Sequence, residues 1–177
     1  MNIFAVDNSP MISAMCLPDK HVLKMPVETS QMLAVCMGYE HGLGLGRIRK
    51  RDDGEFYSQS AFHNHPCTIW ARNSHPNLAW LIVHGQSLCV EFMHRYGKRH
   101  SCMTAVGDAA HLFSQTGYGL GIYSCHEEFA RAMPEDLKYD ITIDSITAYR
   151  RYLIREKKWA QWSRDPRRKP EWWNDQV

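Results

Sequence analysis

The sequence predicts an all-α fold, a compact single domain over residues 1–177 with residues 163–177 as a candidate tail. Apolar residues recur at helical spacing in several segments, and alternation with a period of two is nearly absent. Proline and small polar residues precede the apolar segments, and glycine follows the longest of them, as helix starts and ends require. A length of 177 residues and a hydrophobic content of 44% suit one core.

The N-terminal part contains two predicted helices. A short helix covers residues 10–15, and Pro18 breaks it. A second helix runs from Asp19 to Cys36, and Gly38 ends it. We expect a kink at Pro26, because the proline nitrogen has no hydrogen to donate to the helix.

The rest of the chain alternates loops and helices. Residues 38–62 contain five glycines and a basic cluster, so they are predicted to form a long Gly-rich basic loop, which is usually functional or disordered. Leu78, Leu81 and Leu88 fall near helical spacing within the longest predicted helix, residues 77–96, which we take as the central core helix. Further helices are predicted over residues 64–72, 104–113, 127–132 and 144–162, a turn over 117–121 and a short strand over 139–143.

Composition narrows the class of protein. No apolar run approaches the roughly 18 residues that cross a bilayer, and the N-terminus lacks a basic segment followed by an apolar one. We therefore expect a cytoplasmic protein that does not bind membranes. The six cysteines lie far apart and are expected to be reduced thiols. The net charge of +2 excludes a polycation, and no cofactor is predicted.

Four polar residues form one stripe on the second predicted helix. His21, Lys24, Glu28 and Gln31 are spaced by three, four and three residues and fall within a sector of roughly 80°. Apolar residues lie on both sides, which indicates a half-buried stripe that faces a cleft. A carboxylate, an amine and an imidazole placed there perturb one another's ionisation, as active sites require. The alternative is a solvated face whose Lys24–Glu28 pair contributes a few tenths of a kcal/mol.

Basic residues are clustered locally. The clusters consist of Arg47, Arg49, Lys50 and Arg51 in the Gly-rich loop, Arg95, Lys98 and His100 at the end of the long helix, and Arg164, Arg167, Arg168 and Lys169 in the tail. Four of the six tryptophans lie in the last 19 residues, and basic residues interleaved with aromatic rings suit nucleic acid. Two other interpretations stay open: cations that stabilise a helix C-terminus, and a tail anchored to the core by its tryptophans.

The group His63, His65 and Cys67 suggests a zinc site. Alternate residues converge on one ion only from extended chain, whereas Pro66 begins a helix in the middle of the group. We therefore predict no metal, with His65 as a helix cap and Cys67 as a small buried residue.

Residues 13–28, SAMCLPDKHVLKMPVE, resemble the N-terminal segment of the phage pyrimidine-dimer DNA glycosylases of the endonuclease V type. In that family a catalytic glutamate follows a histidine by seven residues, as Glu28 follows His21 here. Residues 65–70 and 91–95 resemble a His-Pro…Trp…Glu-Trp pattern of related small bacterial proteins, and the aromatic, basic tail is similar as well. Over its whole length the chain resembles proteins of tailed phages and cyanophages, which would place it in a host cytoplasm.

The resemblance implies the endonuclease V fold, double-stranded DNA as the partner, and an N-terminal amine that attacks the sugar C1′ to form a Schiff base while the glutamate assists. The second residue is Asn2, which usually leaves the initiator in place, so Met1 would supply the amine and Lys24 is the alternative nucleophile. Val27 and Gln31 stand where the family has arginines.

We therefore predict a DNA glycosylase or glycosylase/AP lyase that acts on a modified or damaged base. Glu28 would be the acid/base carboxylate, His21 a phosphate or base contact, and Gln31 a further nucleic-acid contact. The gap left by an extruded base would be filled by Trp80, Trp70 or a tail tryptophan. Two other classes stay open: a non-catalytic phage factor that binds nucleic acid or protein, and a hydrolase or transferase that acts on a free nucleotide.

Overall fold

The computed structural model describes residues 1–51, 54–121 and 128–174. These residues form seven α-helices: α1 (Pro10–Cys16), α2 (Asp19–Met37), α3 (Pro66–Asn73), α4 (His75–Tyr96), α5 (Met103–Ser114), α6 (Glu135–Lys138) and α7 (Ser145–Glu156). Two 3-10 turns follow, Pro166–Arg168 and Glu171–Asn174. The described ranges contain one isolated bridge, between Arg49 and Phe56, and no longer strand. The all-α prediction is confirmed.

Side-chain caps set several helix starts. Ser9 Oγ accepts a hydrogen bond from the backbone N–H of Ile12 at the start of α1, and Asp144 Oδ1 accepts one from Thr147 at the start of α7. His65 Nδ1 accepts from the backbone N–H of Cys67, so the predicted cap of α3 is present. At the C-terminal end of α4, Gly97 has a φ of 67°, a left-handed conformation that glycine adopts without strain.

Helices α2 and α4 pack against each other at the centre, with α1, α3 and α5 around them. Trp80, Leu81 and Met32 are fully buried in this core. Gly85 permits the close approach, because a Cβ there would lie 2.8 Å from Thr29 Cγ2. Helix α2 therefore has one side fixed against α4, and its polar stripe faces away from that contact. No described helix is long and apolar enough to cross a membrane.

The N-terminal residues and the segment that follows α7 meet near the first turns of α2. Residues 1–6 have no helical structure, and within them Ile3, Ala5 and Val6 are fully buried. After α7 the chain returns to α2, where the backbone N–H of Asp19 donates to the carbonyl of Gln161 at 2.9 Å. These long-range contacts close the space in which the candidate site lies.

Three predicted elements differ from the structure. Helix α7 ends at Glu156, not at residue 162, because residues 157–162 turn back toward α2. Residue 127 lies outside the described residues, and residues 128–132 are not helical; Arg131 instead donates to the carbonyls of Asp140 and Ile143. Residues 139–143 form bends and a turn around that guanidinium, so the predicted strand is absent.

Candidate active site

A cavity of about 390 Å³ lies where the N-terminus, α2 and the segment after α7 meet. Its lining residues are Met1, Asn2, Phe4, Lys20, His21, Lys24, Met25, Glu28, Ala132, Tyr152, Lys157 and Trp159. Three residues of the predicted stripe, His21, Lys24 and Glu28, are among them. Gln31, the fourth, is half-buried on α2 and does not line the cavity.

The N-terminal amine lies beside the predicted carboxylate. The Met1 nitrogen is 3.8 Å from Glu28 Oε2, and Lys24 Nζ is 2.9 Å from Glu28 Oε1. Glu28 is only 9% exposed, whereas the Lys24 side chain is 72% exposed. The carboxylate thus faces two amines, of which the terminal one is enclosed and the lysine is open to solvent.

A turn made by Asn2 holds the N-terminus in this position. Asn2 Oδ1 accepts hydrogen bonds from the backbone N–H groups of Ile3 at 2.8 Å and Phe4 at 3.1 Å, and Asn2 Nδ2 donates to the Ala132 carbonyl at 2.7 Å. Phe4 has a φ of 43°, in a region that bulky residues rarely occupy. Strained backbone of this kind is maintained by its surroundings and clusters at functional sites.

His21 is held as a neutral imidazole between two rings. Its ring meets Phe4 edge-on with centroids 4.4 Å apart and stacks on Trp159 at 5.2 Å. Burial, followed by the positive charges of Lys157 and Lys24, lowers the pKa of His21 to about 3. Within the described chain, His21 Nδ1 is buried without a hydrogen-bond partner. The ring can therefore accept or donate one hydrogen bond to a ligand without carrying charge.

Three lysines make the cavity electropositive. Lys20 Nζ lies 5.0 Å from the centre of the Trp159 ring, and Lys157 Nζ donates to the Tyr152 hydroxyl at 3.2 Å. Among the described residues that line the cavity, Lys20, Lys24, Lys157 and the terminal amine outnumber one carboxylate, Glu28. This balance favours an anionic ligand whose apolar part contacts aromatic rings.

His65, which the sequence predicted as a helix cap, also lies near the N-terminal amine and Glu28. The pKa of its ring is lowered mainly by burial and then by the N-terminal amine, while Glu28 and a hydrogen bond to the Met1 backbone oppose that shift. His63 stacks on His41 with centroids 4.0 Å apart, and Cys67 Sγ lies 4.0 Å from the Tyr149 hydroxyl. The three residues of the suggested zinc group therefore have different neighbours.

Three predicted nucleic-acid contacts are buried and require correction. Trp80 is fully buried, and its Nε1 donates to the Asn8 carbonyl at 2.7 Å. The Arg95 side chain is 0% exposed and forms ion pairs with Glu91 at 2.8 Å and Asp19 at 3.0 Å. His100 is 6% exposed. His100 follows α4, and its ring contacts the Leu23 carbonyl through Nε2 and accepts from the backbone N–H of Cys102 through Nδ1. None of the three side chains is open to solvent in this conformation, so none is placed to contact DNA.

In the basic clusters of the Gly-rich loop and of the tail, several cations are paired with carboxylates. Arg49 binds Asp108 through two nitrogens, at 2.9 and 2.6 Å, and Lys50 lies 3.3 Å from Glu55. In the tail, Arg167 is paired with Asp165 and Arg168 with Glu91. Arg47 lies over the Phe56 ring, and three exposed residues complete the predicted set: Arg51, Lys98 and Lys169.

The tail tryptophans divide between core and cavity. Trp162 is 6% exposed and donates to the Cys16 carbonyl, and Trp172 and Trp173 pack partly buried against the core. These three anchor the tail, as one of the open interpretations held. Trp159, 40% exposed, lies in the cavity wall. Its position depends on the long-range return of the tail, which no local pattern indicated.

The fold and the site define a helical protein with an amine–carboxylate pair in an electropositive, aromatic-lined cavity. The family model of pyrimidine dimer DNA glycosylases matches residues 1–104. The chain therefore belongs to the pyrimidine dimer DNA glycosylase family, and the predicted family resemblance is confirmed. No curated protein and no solved structure matches the chain. The matched range contains Met1, His21, Lys24 and Glu28 and ends before Lys157 and Trp159, so the whole-chain likeness to phage proteins stays a prediction.

Proposed function

We propose that the chain is a DNA glycosylase with AP-lyase activity that removes a damaged or modified pyrimidine from duplex DNA. One observation carries the proposal: the Met1 nitrogen lies 3.8 Å from Glu28 Oε2 inside the cavity. Membership of the glycosylase family supports the same reaction class.

The amine and the carboxylate suit the two halves of the reaction. The unprotonated Met1 amine attacks C1′, the bond from C1′ to the base breaks, and the base leaves with the electron pair and takes up a proton. Loss of the amine proton and opening of the sugar give an iminium between the Met1 nitrogen and C1′. Glu28, through an oxygen within reach of the amine, stabilises the positive charge that develops at C1′ and accepts protons. Elimination of the 3′ phosphate follows loss of a proton from C2′, and water then releases the sugar from Met1.

The remaining cavity residues suit one extruded nucleotide. A volume of about 390 Å³ lies in the range of roughly 300–1,000 Å³ for small-molecule sites, so the cavity holds a nucleotide rather than a stretch of duplex. Trp159 and Phe4 offer aromatic surface, neutral His21 offers one hydrogen bond, and the lysines attract phosphate.

Borohydride trapping on a duplex with one abasic site tests the proposal, because borohydride reduces only an imine to a stable protein–DNA cross-link. We expect a cross-link, and peptide mapping should locate it at the Met1 nitrogen. Lys24→Arg, which keeps the charge opposite Glu28 and removes the alternative primary amine, should trap at close to the wild-type rate. Addition of one residue ahead of Met1 should abolish trapping, because it displaces the amine from Glu28.

Three results would overturn the proposal. A wild-type chain that binds the duplex but is never trapped would be a non-catalytic binding factor. If borohydride trapping were lost in Lys24→Arg and kept in the variant with one residue added ahead of Met1, the nucleophile would be Lys24. Preferential binding of free nucleotides over duplex would instead favour a nucleotide-directed enzyme.

A further inference from the structure

The ion pairs divide the basic residues into two groups. In the basic clusters of the Gly-rich loop and the tail, cations form ion pairs with carboxylates, such as Lys50–Glu55 and Arg167–Asp165. By contrast, neither Arg151 nor Lys158 forms an ion pair with any described carboxylate, and both line a groove beside α7. The pKa of Asp140 is lowered first by hydrogen bonds from Thr142 and only in smaller part by the charge of Arg151. A phosphate gains most from cations that no carboxylate already neutralises.

The groove has a volume of about 260 Å³, and its lining residues are Leu137, Arg151, Ile154, Arg155 and Lys158. Arg155 is held by Asp136 and by Glu156, the latter at 2.7 Å, so its charge is offset. Arg151 Nε is buried and has no acceptor in the described chain. Buried donors are normally paired, so this nitrogen leaves the Arg151 guanidinium without a protein acceptor at that position.

The groove adjoins the candidate active site. Tyr152 and Lys157 line the cavity, and their immediate neighbours in sequence, Arg151 and Lys158, line the groove. Arg151 and Tyr152 are successive residues of α7, and Lys157 and Lys158 are successive residues just after it, so the groove and the cavity lie on neighbouring faces of this part of the chain.

We propose that the Arg151–Lys158 groove binds the sugar-phosphate backbone of the DNA strand beside the nucleotide held in the cavity. The inference rests on the proposed function. Oxygens of one phosphodiester would accept from Arg151, and Lys158 would add a second cation on the exposed rim. Lys20, Lys24 and Lys157 line the cavity, so groove and cavity both carry positive charge.

The test measures the salt dependence of binding to a duplex with a tetrahydrofuran abasic analogue, which the enzyme cannot cleave. Loss of two phosphate contacts in Arg151→Ala/Lys158→Ala should lower the slope of log K against log salt by about 1.8, at 0.9 per contact. The control Lys50→Ala/Arg167→Ala removes the same net charge from paired positions. Its slope should fall by less than about 0.5, under the value for one contact.

The outcomes distinguish a failure of the proposed groove from a failure of the proposed reaction. Equal slopes in the two double variants would overturn the groove, because binding would then follow net charge alone. An unchanged slope in both Lys158→Ala and Arg151→Gln, each folded by circular dichroism, would overturn it as well. Trapping at saturating protein should be unchanged in the groove variant. If the wild type binds but is never trapped while the groove variant still loses slope, the lyase proposal fails and the groove stands.

Discussion

Replacement of Glu28 by Gln should separate catalysis from stability. The side chain keeps its size, but the negative charge 3.8 Å from the Met1 nitrogen is lost. Acid–base assistance is worth about 10²–10⁴ in rate, or roughly 3–5 kcal/mol of barrier. We therefore expect single-turnover strand cleavage at an abasic site to fall by at least 100-fold.

The cost in stability should be small for a structural reason. The Lys24 side chain is 72% exposed, and pairs with an exposed partner contribute about 0.2–1 kcal/mol. The unfolding free energy from urea titration should therefore change by less than about 1 kcal/mol. DNA affinity should hold or rise, since one negative charge is lost beside the phosphates. Lys24→Gln removes the other partner of the same pair and should keep most activity. Cleavage at the wild-type rate by a folded Glu28→Gln protein would refute the role given to Glu28.

Three further changes test the site and its surroundings. Arg95→Ala should lower the unfolding free energy by about 3–5 kcal/mol in urea titration, because it leaves Glu91 and Asp19 without their buried partner; a loss of DNA affinity with unchanged stability would restore Arg95 as a DNA contact. Burial lowers the folded-state pKa values of His21 to about 3 and His84 to about 4, so the unfolded chain binds more protons below pH 6.5. Stability should therefore fall as the pH drops from 6.5 toward 4, by up to about 1.4 kcal/mol per unit for each histidine, and His21→Asn should remove the contribution of one histidine from that slope. Asn2→Leu, which keeps the shape and the initiator methionine, should slow borohydride trapping at least tenfold, because a displacement of about 1 Å can cost 100-fold in rate; Asn2→Asp, which keeps the acceptor of the turn, should lose less.

The helices were predictable because their signals are local. Ser9, His65 and Asp144 cap helices whose apolar spacing is visible in the sequence, and Gly97 ends the longest one. The stripe on α2 was predictable for the same reason, because its spacing is visible in the sequence. Three of its four residues line the cavity, and Gln31 is the exception.

Long-range contacts account for what the sequence did not predict. The return of the tail depends on the hydrogen bond between the Asp19 N–H and the Gln161 carbonyl, 142 residues apart in sequence. That contact ends α7 early and brings Lys157 and Trp159 to the cavity. The prediction of Arg95 as a DNA contact from the charge pattern failed for a related reason. Arg95 looks like a surface cation in the sequence, but its guanidinium is surrounded by Asp19, Glu91 and backbone carbonyls.

The N-terminus shows how one residue can set both the identity and the position of the proposed nucleophile. From the sequence alone, Asn2 is expected to keep the initiator methionine, so that Met1 supplies the amine. In the structure the same side chain forms the turn next to Met1, whose nitrogen lies 3.8 Å from Glu28 Oε2. Removal of Met1 would shift the amine along the chain by one residue, about 3.8 Å between Cα atoms, onto the residue that forms the turn. A residue that retains the initiator and also shapes the turn therefore keeps the amine beside Glu28, which supports an N-terminal nucleophile.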